Sequence, residues 1–267
     1  MQLLCPVCAQ ILQKDEGCWR CENKHSFDIA KQGYVNLLTV DRKHAKHPGD
    51  TKEQVAARKA FLDGGFYAPI AETVAEFVSP LAPKSVLDAG CGEGYYLTQL
   101  QKSLPETEFA GIDISKDAVR FAAVRNKNAL WLTATAAALP FPNESFDGII
   151  SMFALTVPEE FTRVLSQNGW YLQVIAGPEH LMGLKNIIYP EILRKEKTIH
   201  PEFEGFQLKE TRTLEFTFTI DSNEQVRNLL SMTPHFWRIS KEGAEKLANT
   251  RSLTDTAQVI FNLYNKE

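Results

Sequence analysis

The sequence predicts an α/β protein, an open and mostly parallel sheet covered by helices, with a small metal-bound module in front of it. Three observations predict this. From Val86 onward, short apolar runs alternate with amphipathic helical patterns, which is the signature of strand–helix–strand units. The first of these runs ends in a glycine turn, Gly90-x-Gly92-x-Gly94, that opens a helical stretch. Of the five cysteines, Cys5, Cys8, Cys18 and Cys21 crowd the N-terminus.

Bulk composition sets the frame. The chain has 267 residues, room for one large domain and a small appendage, and its 44% hydrophobic and 23% charged content is ordinary for a globular protein. A net charge of −4 gives no general affinity for nucleic acid, so any basic surface must be local. No run reaches the ~18 apolar residues of a membrane span, and the start, Met1-Gln2-Leu3-Leu4-Cys5-Pro6, lacks a signal-peptide pattern. The expectation is a cytoplasmic protein with no membrane partner. An odd number of clustered cysteines in a reducing compartment points to a metal rather than to disulfides.

Residues 1–40 form the first unit. Cys5-Pro6-Val7-Cys8 is followed by Cys18-Trp19-Arg20-Cys21 and His25. A segment this short has little core of its own, so a tetrahedral zinc bound by thiolates and imidazole is a plausible source of folding energy. Five donors compete for four places. Spacing allows either the four cysteines or Cys5, Cys8, Cys21 and His25. In both cases the site is closed and therefore structural. The stretch from Phe27 to Leu38 mixes aromatic and polar residues and suits a short hairpin or a docking edge.

Residues 41–80 form a linker with two helices. Arg42, Lys43, His44, Lys46 and His47 make its start the most basic segment of the chain, suited to contacting phosphates or simply to being solvated. Thr51 is placed to cap a helix over Lys52 to Asp63, which Gly64-Gly65 stops. A second helix runs from Ile70 to Val78, and Pro80 and Pro83 mark the entry to residues 81–267.

In this last unit, strands are expected at Val86–Ala89, Phe109–Asp113, Leu130–Leu132, Phe146–Met152 and Gly169–Ile175. Helices are expected at Lys116–Asn126 and Glu159–Leu165, and two further β-rich runs at Thr213–Ile220 and Val259–Tyr264. A dinucleotide fingerprint needs Gly or Ala at 95, where this chain has Tyr95, so a hydride-transfer enzyme is disfavoured. Asp88 precedes the glycines, and Asp113 closes the second strand, where a carboxylate can accept both hydroxyls of a ribose.

This set resembles the class I S-adenosylmethionine-dependent methyltransferases, and the resemblance implies a Rossmann-like, seven-stranded domain. In that family Gly90 and Gly92 let the backbone approach the methionine part of the cofactor. A narrower resemblance rests on residues outside the cofactor motif: the zinc knuckle, Phe27-Asp28, Gly33-Tyr34-Val35-Asn36-Leu37-Leu38, Pro48-Gly49-Asp50 and Ala57-Arg58-Lys59-Ala60-Phe61-Leu62-Asp63. Gly177-Pro178-Glu179-His180-Leu181 and Met232-Thr233-Pro234-His235-Phe236-Trp237 extend it along nearly the whole chain. Together these are similar to the RlmA family, bacterial guanine-N1 methyltransferases of a 23S rRNA hairpin. The resemblance implies zinc on Cys5, Cys8, Cys21 and His25, an RNA-recognition role for the zinc module, and cofactor contacts at Tyr67, Gly92, Glu93 and His180. It implies 23S rRNA as partner and, because dimers occur in the family, a homodimer. One departure stands near the transfer site, where Leu155 occupies the place of a family proline.

Guanine N1 carries a proton at neutral pH, so a general base or a stabiliser of the O6 charge is needed. Asp147, on the fourth strand, and His180 are the candidates. Two other readings stay open. One is a methyltransferase of a small molecule or another RNA with a purely structural zinc module, which the negative charge favours. The other is a non-catalytic RNA-binding protein, against which the set Asp88, Gly90, Gly92 and Asp113 argues.

Overall fold

The computed structural model describes residues 1–40, 48–192 and 198–267. The basic residues Arg42, Lys43 and Lys46 lie outside the described residues. Apolar runs of the C-terminal two-thirds pair into one sheet. Its parallel strands are β6 (Ser85–Ala89), β7 (Glu108–Asp113), β8 (Leu130–Thr133), β9 (Phe146–Met152) and β10 (Leu165–Ala176). An antiparallel pair, β11 (Phe206–Ile220) and β12 (Leu253–Lys266), closes it through β12 against β10. The order β11-β12-β10-β9-β6-β7-β8 gives the expected seven strands.

An eighth strand comes from the N-terminal module. β1 (Leu3–Leu4), β2 (Ile11–Asp15), β3 (Cys18–Arg20) and β4 (Ser26–Asp28) form a small antiparallel sheet of their own. After it, β5 (Val35–Asn36) pairs in parallel with β8 and extends the main sheet. The segment read as a hairpin or docking edge is both, since Ile29 also bridges Val35. Leu3, Leu12 and Cys21 join Leu87, Leu132 and Phe141 in one buried cluster, so the module borrows its core from the sheet.

Helices cover the sheet. α1 (Lys52–Asp63) starts at a capping box in which the Gln54 N–H donates to Thr51 Oγ1 at 3.3 Å and the Thr51 N–H to Gln54 Oε1 at 3.1 Å. α2 (Ala68–Val78) takes Pro69 in its first turn. α3 (Tyr95–Ser103), α4 (Lys116–Arg125) and α5 (Pro158–Val164) follow their strands as the pattern predicts. Three further helices are α6 (Met182–Ile188), α7 (Asn223–Ser231) and α8 (Lys241–Asn249). Among the described residues no helix is long and apolar enough to cross a membrane.

Candidate active site and zinc centre

The chain leaves β6 toward β7 and β8 on one side and later returns to β9 and β10 on the other. The crevice at the carboxyl ends of β6 and β9 is therefore the switch point where open α/β sheets bind ligands. The glycine turn sits there. Gly90 has φ +90°, and a Cβ on it would stand 2.5 Å from the Ala154 Cβ. Gly94 has φ +81°, and a Cβ there would meet Trp131 at 2.8 Å and Ala122 at 2.9 Å. Glycine is thus required at Gly90 by the loop after β9, and at Gly94 by close packing of α3 and α4 on the sheet. The turn is clamped to the end of β7, with the N–H groups of Gly90 and Cys91 donating to the Ile112 carbonyl at 2.9 and 2.8 Å.

This turn floors a cleft of about 300 Å³. Asp88 is fully buried beside it, and burial, helped by the charge of Asp113, pushes its carboxyl up to about 8. Its Oδ1 has no hydrogen-bond partner among the described residues. Asp113 accepts the Gly92 N–H at 2.9 Å and the Ser115 N–H at 2.8 Å, and burial raises its carboxyl against the pull of those two amides. A basic group enters from α1. Arg58 Nη2 pairs with Asp50 Oδ2 at 2.6 Å, while its Nε is buried without a partner. The Ser115 hydroxyl donates to the Asp50 carbonyl at 2.7 Å and ties this corner to the cleft. An unsatisfied carboxylate oxygen buried at the end of β6, next to the cleft-lining Ala89 and Gly90, and an unsatisfied guanidinium nitrogen on the cleft-lining Arg58 match the ammonium and carboxylate of an amino-acid zwitterion. Asp113 adds the acceptor that a ribose needs. S-adenosylmethionine has both parts, and the residues fit it.

The structure brings Tyr67 and His180 together. Tyr67 is buried against Phe61 and Phe218 and its hydroxyl lies 3.3 Å from His180 Nε2. The loop carrying His180 is pinned by β12, whose Asp255 accepts the N–H groups of Gly183 and Leu184 at 2.8 and 2.7 Å. Glu93 is placed differently. Its carboxylate turns from the cleft to Arg125, whose Nε donates to it at 2.6 Å, and Arg125 also reaches Asp63 at 2.8 Å. Through Oε2 the side chain thus braces the glycine turn against α4 and α1, while Oε1 stays buried without a hydrogen-bond partner among the described residues. Asp147 is not at the site. It lies at the amino end of β9, where Oδ2 accepts the N–H groups of Lys84 and Ser85 at 2.7 and 3.2 Å, so it is corrected from candidate base to a clamp between the starts of β6 and β9. Sequence reasoning missed Arg58 and Asp50 as cleft residues; the Pro48-Gly49-Asp50 turn before a capped helix was the available signal.

At the N-terminal module the ligand atoms of Cys5, Cys8, Cys21 and His25 all lie within 4.8 Å of one another. Cys8 Sγ is 3.7 Å from Cys21 Sγ, and His25 Nδ1 is 3.3 Å from Cys21 Sγ and 3.5 Å from Cys5 Sγ. A zinc with Zn–S bonds of ~2.3 Å needs tetrahedral edges of roughly 3.8 Å, so the set is shaped for that ion. Cys18 is outside this set: β3 pairs it with Asp15 and Asp28, and its sulfur meets Arg20 Nη2 at 3.7 Å. Both turns of the knuckle carry left-handed residues, Ala9 at φ +58° and Lys24 at φ +64°, which fold the backbone around the sulfurs.

Fold and cleft together define a class I S-adenosylmethionine-dependent methyltransferase carrying an N-terminal zinc ribbon. Residues 86–169 match a family model described as a methyltransferase domain, and residues 3–46 match one described as RlmA, N-terminal. The chain is 34% identical, over 88% of its length and 85% of the relative's, to the 23S rRNA (guanine(748)-N(1))-methyltransferase of Streptomyces fradiae. It is also 29% identical, over 96% of its length and 94% of the relative's, to YxjB of Bacillus subtilis, provisionally named for a 23S rRNA guanine-N1 transfer. The chain belongs to the RlmA family of 23S rRNA (guanine-N1)-methyltransferases. The fold is shared more widely. A solved structure from work on converting a disulfide bond into a thioacetal in echinomycin biosynthesis superposes with a TM-score of 0.50 at 15% identity, over 73% of this chain and 80% of the other.

Proposed function

We propose that this chain transfers a methyl group from S-adenosylmethionine to N1 of a guanine in a 23S rRNA hairpin loop. The observation that carries the reading is the extent of the likeness to the Streptomyces relative, 34% identity over 88% of the chain. Bound S-adenosylmethionine supplies an electrophilic methyl on a sulfonium. The protein's part is alignment and charge. Asp88 takes the ammonium end, Arg58 the carboxylate and Asp113 the ribose hydroxyls. Burial holds the Tyr67 phenol far above its usual range, so it keeps its proton, and its hydroxyl shares a 3.3 Å hydrogen bond with His180 Nε2. In the tautomer whose Nε2 accepts from Tyr67, the single imidazole N–H is on Nδ1 and makes His180 a donor there. That role suits holding a carboxylate, or the charge that grows on guanine O6 as N1 loses its proton.

N1 lies on the Watson–Crick edge, so the base must be unpaired and splayed into the cleft. The zinc ion is structural, and the module it holds grips RNA beside the sheet. The reaction belongs to the cytoplasm, and a homodimer is part of this reading on the family resemblance alone; light scattering of the purified protein tests it. The decisive experiment incubates the protein with labelled S-adenosylmethionine and protein-free rRNA from cells lacking the gene, then maps the nucleoside by digestion and mass spectrometry. One 1-methylguanosine in one hairpin is the expected result. Cofactor binding without RNA methylation would move the substrate elsewhere, and absence of cofactor binding would sink the reading.

A further inference from the structure

A cap on the carboxyl edge of the sheet contributes no residue to the lining of the cleft. α7, the 3-10 turn Pro234–Arg238 and α8 connect the end of β11 to the start of β12, on the same edge as the glycine turn. α7 packs on α1, the helix that brings Arg58 into the cleft. The turn is tied to α6, which begins two residues after His180. Tyr189 Oη lies 2.8 Å from His235 Nδ1, and the Ser240 hydroxyl donates to the Ile188 carbonyl at 3.4 Å. The Thr233 hydroxyl donates to the Leu230 carbonyl at 2.8 Å and fixes the entry from α7. The turn therefore stands one short helix away from His180.

Two aromatic rings face water from this seat. Trp237 is 70% exposed and Phe236 36% exposed, edge to face with centroids 5.0 Å apart. Neither ring belongs to the buried core clusters. Cations flank the turn, although Lys185 among them also feels the carboxylates of Glu179 and Asp255. Arg238 ends the turn, and it and Lys185 of α6 both act on His235, which burial chiefly, and then these two cations, hold below its usual range and so neutral. On α8, the acid Glu242 is already paired with Lys246 at 2.8 Å. Exposed aromatic rings on a rigid turn among cations are the chemistry that binds unpaired bases, by stacking on the π-face with the phosphates neutralised alongside.

We propose that Trp237 and Phe236 form a stacking platform for unpaired bases of the RNA next to the target guanine, with Arg238 and Lys185 on the flanking phosphates. This rests on the RNA reading above and adds the surface that would hold the splayed loop.

The test uses the full chain and a 23S rRNA hairpin transcript carrying the nucleotide that corresponds to guanine 748 of the Streptomyces relative's name. RNA affinity, kcat/KM for methyl transfer, cofactor affinity and sedimentation are compared for the wild type, Trp237→Ala and Trp237→Phe. Loss of a stacked base predicts RNA binding weakened roughly ten- to hundredfold in Trp237→Ala, with cofactor affinity and melting temperature unchanged and most of the loss recovered in Trp237→Phe. Indole emission of the wild type should be quenched by the hairpin, and the share of that quench owed to Trp237 should be lost in Trp237→Phe while any share from Trp19 in the zinc module remains. Wild-type kcat/KM and RNA affinity in Trp237→Ala would overturn the platform while leaving the proposed function standing. A change in sedimentation with unaltered RNA affinity would also overturn it and assign the rings to a second copy of the chain. Failure of the wild type to bind or methylate any rRNA hairpin would bring down the proposed function and the platform with it.

Discussion

Cofactor affinity should depend on pH through Asp88, with a maximum close to pH 8. In the cofactor-free protein burial and the neighbouring charge of Asp113 hold the Asp88 carboxyl at about 8, so below that pH it is largely protonated. Binding an ammonium at its free oxygen requires the proton to leave. The ammonium itself, an α-amino group of pKa about 7.7–8.0, must keep its own proton. Multiplying the two fractions gives affinity that tightens about twentyfold from pH 6 to near pH 8 and then weakens three- to fourfold by about pH 9. Calorimetry in buffers of differing ionisation enthalpy should show about one proton released per cofactor bound near pH 6. In Asp88→Asn the acid limb should collapse, and any slope left belongs to Asp113, which burial also raises. Stability gives an independent check of sign. A carboxyl raised on folding contributes stability that is complete below the unfolded carboxylate range and is lost as pH rises through about 8. The melting temperature of the cofactor-free wild type should therefore fall over that interval while Asp88→Asn resists. A flat affinity profile with no proton release would refute the pairing of Asp88 with the ammonium.

The zinc ribbon should hold one ion per chain by elemental analysis; Cys18→Ser should keep it, whereas Cys21→Ser or strong chelation should release it and melt β1–β4, since structural zinc supplies about 10–16 kcal/mol of folding energy in small modules. Gly90→Ala should cost about 1–3 kcal/mol in thermal or denaturant unfolding and at least roughly tenfold in cofactor affinity, because φ +90° and a 2.5 Å approach to Ala154 both exclude a side chain. Asp147→Ala should lower stability by about 1–3 kcal/mol while leaving methyl transfer unchanged at a permissive temperature, because its partners are the backbone N–H groups of Lys84 and Ser85.

What could be read from the sequence was what is local in the chain. Strand, glycine turn, helix and the acid of the next strand all lie between Ser85 and Asp113, and each carries its own pattern. Arg58 was visible only as one face of a helix, because its role arises when α1 folds against the end of β7 through the Asp50–Ser115 contact. The place of Asp147 was legible as well: it stands at the start of the expected strand Phe146–Met152, and in a parallel sheet that is the amino end, away from the cleft at the carboxyl ends. The zinc ligands could not be separated from Cys18 by spacing. The separation comes from β3, whose pairing sets Cys18 opposite Asp15 and Asp28 while Cys21 falls just past the strand's end. α7 does carry helical spacing at Val226, Leu229 and Leu230, but in a polar stretch too short for the period to stand out.

The Leu155 departure can now be located. Ala154, not Leu155, fills the space over Gly90, so the fit between the loop after β9 and the glycine turn does not depend on residue 155. Phe153 fixes the start of that loop at φ +54°, with its N–H donating to the Val174 carbonyl at 2.8 Å, and that anchor is likewise independent of a proline two residues on. Leu155 itself is 76% exposed at the rim of the cleft. Where the family resemblance implies a proline, leucine at this rim position gives a less rigid backbone at the edge of the cleft.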